Sequence, residues 1–222
     1  MEQYWTYIGN PTGLTYYIEY DKLLTEIYPY LNQGFTTNGK EHRLTCLFNY
    51  DGSIMSYAGK KQQSNIPTSN SLISQMLTYV NSQYFRDEMK QNGVNYDLPI
   101  FNACFTNWYR PLDMTDQMGI QADDIGFHSD SLTSMNSDII LSVTFCDNGG
   151  HRLFRFQNKF NPDGSKNSKG YCWQVELKNK DILIMLPGCQ EYFKHGVPGL
   201  KKHLDGTPIT GGRINLTFRA LK

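Results

Sequence analysis

The sequence has no apolar run near the roughly 18 residues that a membrane span needs. Its opening, MEQYWTYIGN, has no basic stretch leading into an apolar one, so no signal peptide is read there. The expectation is an intracellular protein, cytoplasmic or nuclear, not secreted, with no membrane partner and acting as a monomer. Cysteine is sparse: Cys46, Cys104, Cys146, Cys172 and Cys189 are odd in number, and no two form C-x-x-C. That excludes a disulfide framework and a structural zinc knuckle, leaving buried, reduced thiols. Net charge is zero, so no global field draws in a polyanion. A Gly-rich phosphate loop, an internal repeat, a low-complexity tract and a clear linker are all missing.

What remains is a chain of 222 residues with 39% hydrophobic content, enough to bury the core of one large domain. Aromatics make up 14%, so stacking surfaces are available. The charge is unevenly placed. Residues 151–222 carry 13 Lys/Arg against 5 Asp/Glu, a net +8, and residues 1–150 carry 8 against 16, a net −8. Such asymmetry can mark a nucleic-acid face, though chance also produces it.

Two early segments have helical spacing. YDKLLTEIYPYL sets Leu23, Leu24, Ile27 and Leu31 in a stripe that Pro29 should end. PTSNSLISQMLTYVNSQYF places Leu72, Ile73, Met76, Leu77 and Val80 on one face, with Ser69, Asn70 or Ser71 as cap. The rest reads as strands. HRLTCLFNYDGSIMSYAG suggests a strand, an Asp51-Gly52 turn and a returning strand. IILSVTFC alternates, with Ile139, Leu141, Val143 and Phe145 on one face. HRLFRFQ and YCWQVEL flank a polar loop with Pro162, Gly164 and Gly170. DILIMLPG is a short buried strand before a turn, and GGRINLTFRAL is a final strand. Helices followed by short strands at this spacing suggest a sandwich or jelly roll, an α+β chain that is mainly β.

DDIGFHSDSL contains His128 and Asp130, which share a face if the segment is extended. A metal needs a further ligand, and His42, His151, His195 and His203 are the other histidines. His195 follows the buried strand DILIML, with enough chain between for strands to return beside the first pair. Two His and one carboxylate on one face are the facial triad of non-haem iron(II) sites. The pattern alone is weak, because most such triples are surface residues. RINLTFR strengthens it: Arg213, Asn215, Thr217 and Arg219 alternate with Ile214, Leu216, Phe218 and Ala220. Two arginines on the inside of a roll need anions, and guanidinium binds a carboxylate bidentately.

Taken in this order, FNACFTNWYR, IGFHSDS, IILSVTF, LKNKDILIMLPGCQEYFKHGVP and RINLTFR resemble the AlkB family of iron(II)/2-oxoglutarate dioxygenases. The resemblance covers most of residues 101–222. It implies a double-stranded β-helix binding Fe(II) through His128, Asp130 and His195, which are also the catalytic residues. It implies 2-oxoglutarate contacts from Asn107, Tyr109, Arg213, Asn215 and Arg219, with Arg213 on the distal carboxylate. The implied reaction consumes O2, converts 2-oxoglutarate to succinate and CO2, and hydroxylates an N-methyl group of a nucleobase, which leaves as formaldehyde. The partner would be alkylated DNA or RNA, in DNA repair or RNA demethylation, with the base flipped out or taken from a single strand.

On this reading residues 1–100 hold N-terminal helices and a nucleotide-recognition lid hairpin, and residues 101–222 the catalytic core, in one compact unit. Tyr57 would stack on the base with Arg43 supporting it, and Lys159, Lys166 and Lys169 are candidates for phosphate contacts. Ser131 and Leu132 are the other substrate-side residues. They stand where family repair enzymes often have an acidic residue, which leaves the methylated base open. The segment 110–124 is longer than the common spacing and is expected to loop over the site. Two alternatives stay open. One is a 2-oxoglutarate-dependent hydroxylase acting on a protein or small molecule; the other is a roll that only binds a ligand.

Overall fold

The computed structural model describes residues 3–9, 11, 13, 17–36, 39–50, 55–57, 60–119, 121–161, 163–167, 170 and 172–222; at 33–36, 39–41, 55–57 and 60–62 only the backbone is described. In chain order the elements begin with β1 (Trp5–Ile8), α1 (Tyr20–Ile27), β2 (Asn32–Thr36), β3 (Gly39–Asn49), β4 (Met55–Tyr57) and β5 (Lys60–Gln62). Then come α2 (Leu72–Val80), α3 (Gln83–Gln91), β6 (Ala103–Tyr109), α4 (Leu112–Gln117), β7 (Ile125–His128) and β8 (Ile140–Cys146). The chain ends with β9 (Arg152–Asn158), β10 (Trp173–Leu177), β11 (Ile182–Met185), α5 (Cys189–Tyr192), β12 (Phe193–Val197) and β13 (Arg213–Arg219).

The strands form a major sheet ordered β1-β11-β8-β13-β6-β3-β2 and a minor sheet ordered β10-β9-β12-β7. Their pairings are antiparallel. The fold is therefore mostly β, with few helices and a jelly-roll-like pair of facing sheets. Period two sets the two sides of the major sheet. On the outer side Leu141, Val143, Phe145, Ile214, Leu216 and Phe218 pack with Leu23, Ile27, Met76 and Leu77 of α1 and α2. On the inner side Phe105, Ile140, Leu183 and Met185 meet Phe154, Phe156 and Val197 of the minor sheet. Both faces of β13 are buried along all seven residues, so its polar face lies inside the roll.

Local chemistry explains where the sequence pattern and the structure part. The second helical pattern breaks in two at Asn81-Ser82. The Ser82 hydroxyl caps α3 by accepting from Phe85 N at 3.2 Å, and the Asn81 side chain bonds both backbone groups of Phe101. Tyr28–Tyr30, containing Pro29, closes α1 as a short 3-10 turn. Among the described residues β4 does not pair with β3 as HRLTCLFNYDGSIMSYAG suggested. β6 takes one edge of β3 over Leu44–Asn49, β2 takes the other as far as Thr45 and Asn65 bridges Phe48 beyond it, while β4 pairs with β5. The Asp51-Gly52 turn lies outside the described residues.

Cys172 is exposed while the other four cysteines are buried, which corrects the expectation that all five are core thiols; each of the five is free. Segment 110–124 carries α4 rather than bare loop. Asp123 accepts from Arg110 N, Nε and Nη2 at 2.7–2.9 Å, and Leu112 and Ala122 pack on Ile209. Among the described residues no helix is long and apolar enough to cross a membrane.

Candidate active site

β7 and β12 lie side by side with His128 directly opposite His195. Their ring centroids are 4.3 Å apart. Asp130, two residues past the end of β7, closes a triangle. One ligand atom from each of the three lies within 4.8 Å of the others. His128 Nε2 and His195 Nε2 are each 3.9 Å from an Asp130 oxygen. That is too long for a hydrogen bond. It is close to the ~3.0–3.4 Å that separates two ligands of one ion with bonds of about 2.1 Å. The triangle could hold a metal.

Protonation suits the same task. His128 Nδ1 faces Gly126 O at 2.9 Å, which assigns the proton there and leaves Nε2 with its lone pair. Burial, then the neighbouring His128, pushes His195 down to about 3, and burial also lowers His128. Burial alone would favour a neutral Asp130. The Arg219 guanidinium, by its charge and its hydrogen bond, is the chief opposing influence, and the carboxyl is held well below the usual carboxylate range. Two neutral imidazoles and one carboxylate are the forms that bind a cation.

Neighbours fix the triangle. Arg219 Nη2 donates to Asp130 Oδ2 at 2.9 Å, and Asp130 N donates to Gln190 Oε1 at 2.9 Å. Phe154 lies parallel to the His195 ring at 5.7 Å. At Gly196 a Cβ would stand 2.8 Å from Ile125 O, closer than real Cβ contacts allow. Gly196→Ala should therefore push β7 off β12 and separate the two histidines. A shift approaching 1 Å predicts a loss of turnover on the order of 10²-fold in a folded protein. Steady-state kinetics beside a circular dichroism spectrum checks this, and unchanged kcat would refute the close-approach argument.

The cavity beside the triangle is lined by the inward faces of β3, β6, β8 and β13. Register explains its chemistry. Arg213 is opposite Tyr109 and Cys146, Asn215 opposite Asn107 and Thr144, and Thr217 opposite Phe105 and Ser142. Arg213 is 1% exposed, and its guanidinium sits 5.1 Å from the Tyr109 ring centre. Nη2 donates to Asn215 Oδ1 at 2.7 Å and Thr144 Oγ1 at 3.1 Å, both neutral. Burial lowers its pKa from the ordinary arginine value. Asn215 also lines the cavity and is tied to its neighbours on the sheet. Its Oδ1 also accepts from Ser142 Oγ at 2.9 Å, and its Nδ2 donates to Thr217 Oγ1. Asn107 Oδ1 accepts from Arg43 Nε at 2.7 Å.

Arg43 is thus on a wall of this cavity and 1% exposed. Tyr57 is on β4, and its side chain lies outside the described residues. Ser131 is exposed and bonds Thr133 Oγ1, and Leu132 is exposed beside Asp130. Lys159 turns inward and donates to Gln190 O at 2.6 Å. Lys166 is exposed, and Lys169 and Pro162 lie outside the described residues. Sequence reasoning missed Gln190, Ser142 and Thr144. The last two were within reach, because they alternate with the apolar face of IILSVTFC.

Two histidines and a carboxylate on one wall of a jelly roll, beside an arginine-lined pocket, define a non-haem iron(II) type of site. Residues 35–219 match the family model described as the 2OG-Fe(II) oxygenase superfamily, and the chain belongs to that superfamily. It is accordingly an oxidoreductase, a dioxygenase that uses Fe(II), 2-oxoglutarate and O2. No curated protein matches the sequence. The crystal structure of an oxidoreductase of the 2OG-Fe(II) oxygenase family from Burkholderia pseudomallei is similar, with TM-score 0.55 and 11% identity. The match covers 99% of this chain and 88% of that one, and at this identity the likeness concerns the fold alone. The donor chemistry fits iron(II), which when bound activates O2 and couples 2-oxoglutarate decarboxylation to substrate oxidation.

Proposed function

We propose that this dioxygenase is AlkB-like and removes N-methyl groups from nucleobases in DNA or RNA, releasing formaldehyde, succinate and CO2. In this reading His128, Asp130 and His195 hold Fe(II). Arg213 takes the distal carboxylate of 2-oxoglutarate, with Tyr109 beneath its guanidinium, and Asn107 and Arg219 lie toward the metal end. The observation that carries the reading is the two ends of RINLTFR. Arg213 faces neutral partners at one end, and six residues on Arg219 holds the Asp130 carboxylate.

The substrate side rests on less. Phe127 and Leu132, both exposed, flank His128 and Asp130 and offer apolar surface to a planar base. The β4–β5 hairpin, with Tyr57 on it, is assigned the lid, within an N-terminal recognition part (1–100) on a catalytic core (101–222). The protein contributes positioning and fixed donors; a base in a duplex must first leave the stack.

The test is incubation with Fe(II), 2-oxoglutarate and a panel of methylated DNA and RNA oligonucleotides, reading succinate and formaldehyde. Formaldehyde that tracks one oligonucleotide is the expected result. Succinate with no oligonucleotide-dependent formaldehyde refutes the nucleic-acid reading and leaves a hydroxylase of a protein or small molecule.

A further inference from the structure

A second triangle of the same kind stands at the far end of the minor sheet. His151 follows the Gly149-Gly150 turn at the start of β9, Glu176 is on β10, and His203 lies in the loop between β12 and β13. One ligand atom from each lies within 4.8 Å of the others. His151 Nε2 and His203 Nδ1 are each 3.8 Å from a Glu176 oxygen. Those distances nearly equal the 3.9 Å of the first triangle and are again too long for hydrogen bonds. The two rings are stacked, with centroids 3.6 Å and planes 14° apart, so one imidazole must turn out of the stack for both in-plane lone pairs to reach one ion.

His203 supplies an independent observation. Its side chain is 3% exposed, and neither ring nitrogen has a hydrogen-bond partner among the described residues. Buried polar atoms seldom remain so. Ordinary packing of a stacked pair would leave both nitrogens without partners, whereas an ion shared with Glu176 would engage one. The backbone around it is already fixed. His203 N donates to Thr207 O at 2.9 Å, Gly206 N to His203 O at 3.1 Å, and Ile209 N to Lys201 O at 3.1 Å. Glu176 is oriented too, since its Oε1 accepts from Leu204 N at 2.7 Å, as outer partners orient metal ligands.

We propose that His151, Glu176 and His203 form a second metal site, taking a borderline divalent ion such as Zn(II) with water in the open position. Two imidazoles and a carboxylate are an established zinc donor set. The ion ties the 201–209 loop to β9 and β10. It acts structurally on the segment leading into Arg213: Arg152, next to His151, donates to Gly211 O at 2.8 Å.

The test uses full-length protein stripped of metal, exposed to Zn(II), dialysed and measured for metal content. Wild type should retain two zinc ions per chain, His128→Ala one, and His128→Ala/His151→Gln none. His151 is a quarter exposed, so its exchange for glutamine is mild, and circular dichroism verifies folding. In the His128→Ala background, zinc about 100-fold above its Kd should raise Tm by roughly 5–10 °C, and His151→Gln should cancel the rise. Co(II) in the same background should show the visible bands of a low-coordinate nitrogen–oxygen site. One zinc in wild type with none in His128→Ala overturns the proposal, as does equal zinc retention with and without His151→Gln.

Discussion

The His128→Ala variant is expected to form no succinate above the iron-free background. Three protein ligands set the affinity and the open positions of a facial triad, and two ligands cannot preserve both. Losing an outer partner of a ligand costs roughly 10–100-fold in metal affinity or activity, and losing the ligand itself exceeds that. His128 is the informative choice among the three for an energetic reason. Its side chain is 26% exposed, and it is neutral in the folded protein. Its removal therefore strands no buried charge. Asp130→Ala would leave the Arg219 guanidinium, 4% exposed, without the carboxylate it donates to. Breaking a buried pair from one side costs about 3–5 kcal/mol, so inactivity could then reflect unfolding. A folded His128→Ala protein that still turns over with iron would remove His128 from the metal site.

This difference between the proposed ligands shows what a linear sequence can carry. Period-two alternation in RINLTFR and IILSVTFC placed the polar residues on one face before any coordinates, because side chains in a strand must alternate. The same rule gave the apolar faces that pack in the core. H-x-D was visible, but its meaning came from His195, and only the pairing of β7 with β12 brings that residue opposite His128. β1 was not read at all. It is four residues long and is held by β11, almost the whole chain away. Gln190 was missed for a related reason: it acts on Asp130 through one side-chain oxygen, and nothing in its local sequence distinguishes it. His151 and His203 were noted singly, and their meeting over Glu176 depends on a loop whose path leaves no periodic trace. The hairpin pairing failed because a strong strand–turn–strand pattern does not say which edge is already occupied.

Arg213→Met should raise the KM for 2-oxoglutarate by at least about 30-fold while Tm does not fall. Truncating one side of a buried, hydrogen-bonded charge pair costs about 2–5 kcal/mol, which at 1.4 kcal/mol per decade is roughly 30- to several-thousand-fold. The second half of the prediction follows from the partners Arg213 has without a ligand. They are the side chains of Asn215, Thr144 and Tyr109 rather than a carboxylate, and the buried Arg152 lies close enough to disfavour its charge. Burial, then Arg213, pulls Arg152 down to about 10. A guanidinium held this way, 1% exposed, burdens the fold until an anion arrives. Replacing it with an apolar side chain of similar length is neutral or stabilising when the charge has no good partner. Asn215 keeps Ser142 Oγ as a donor to its Oδ1, so the change strands no acceptor there. Arg213→Lys should recover only part of the affinity, since a point charge cannot reproduce the planar fork. Iron content should stay at the wild-type level, because Arg219 and not Arg213 supports Asp130. A collapse in Tm with unchanged KM would instead make Arg213 a structural residue. Loss of 2-oxoglutarate affinity with intact Tm and iron separates the co-substrate clamp from the scaffold.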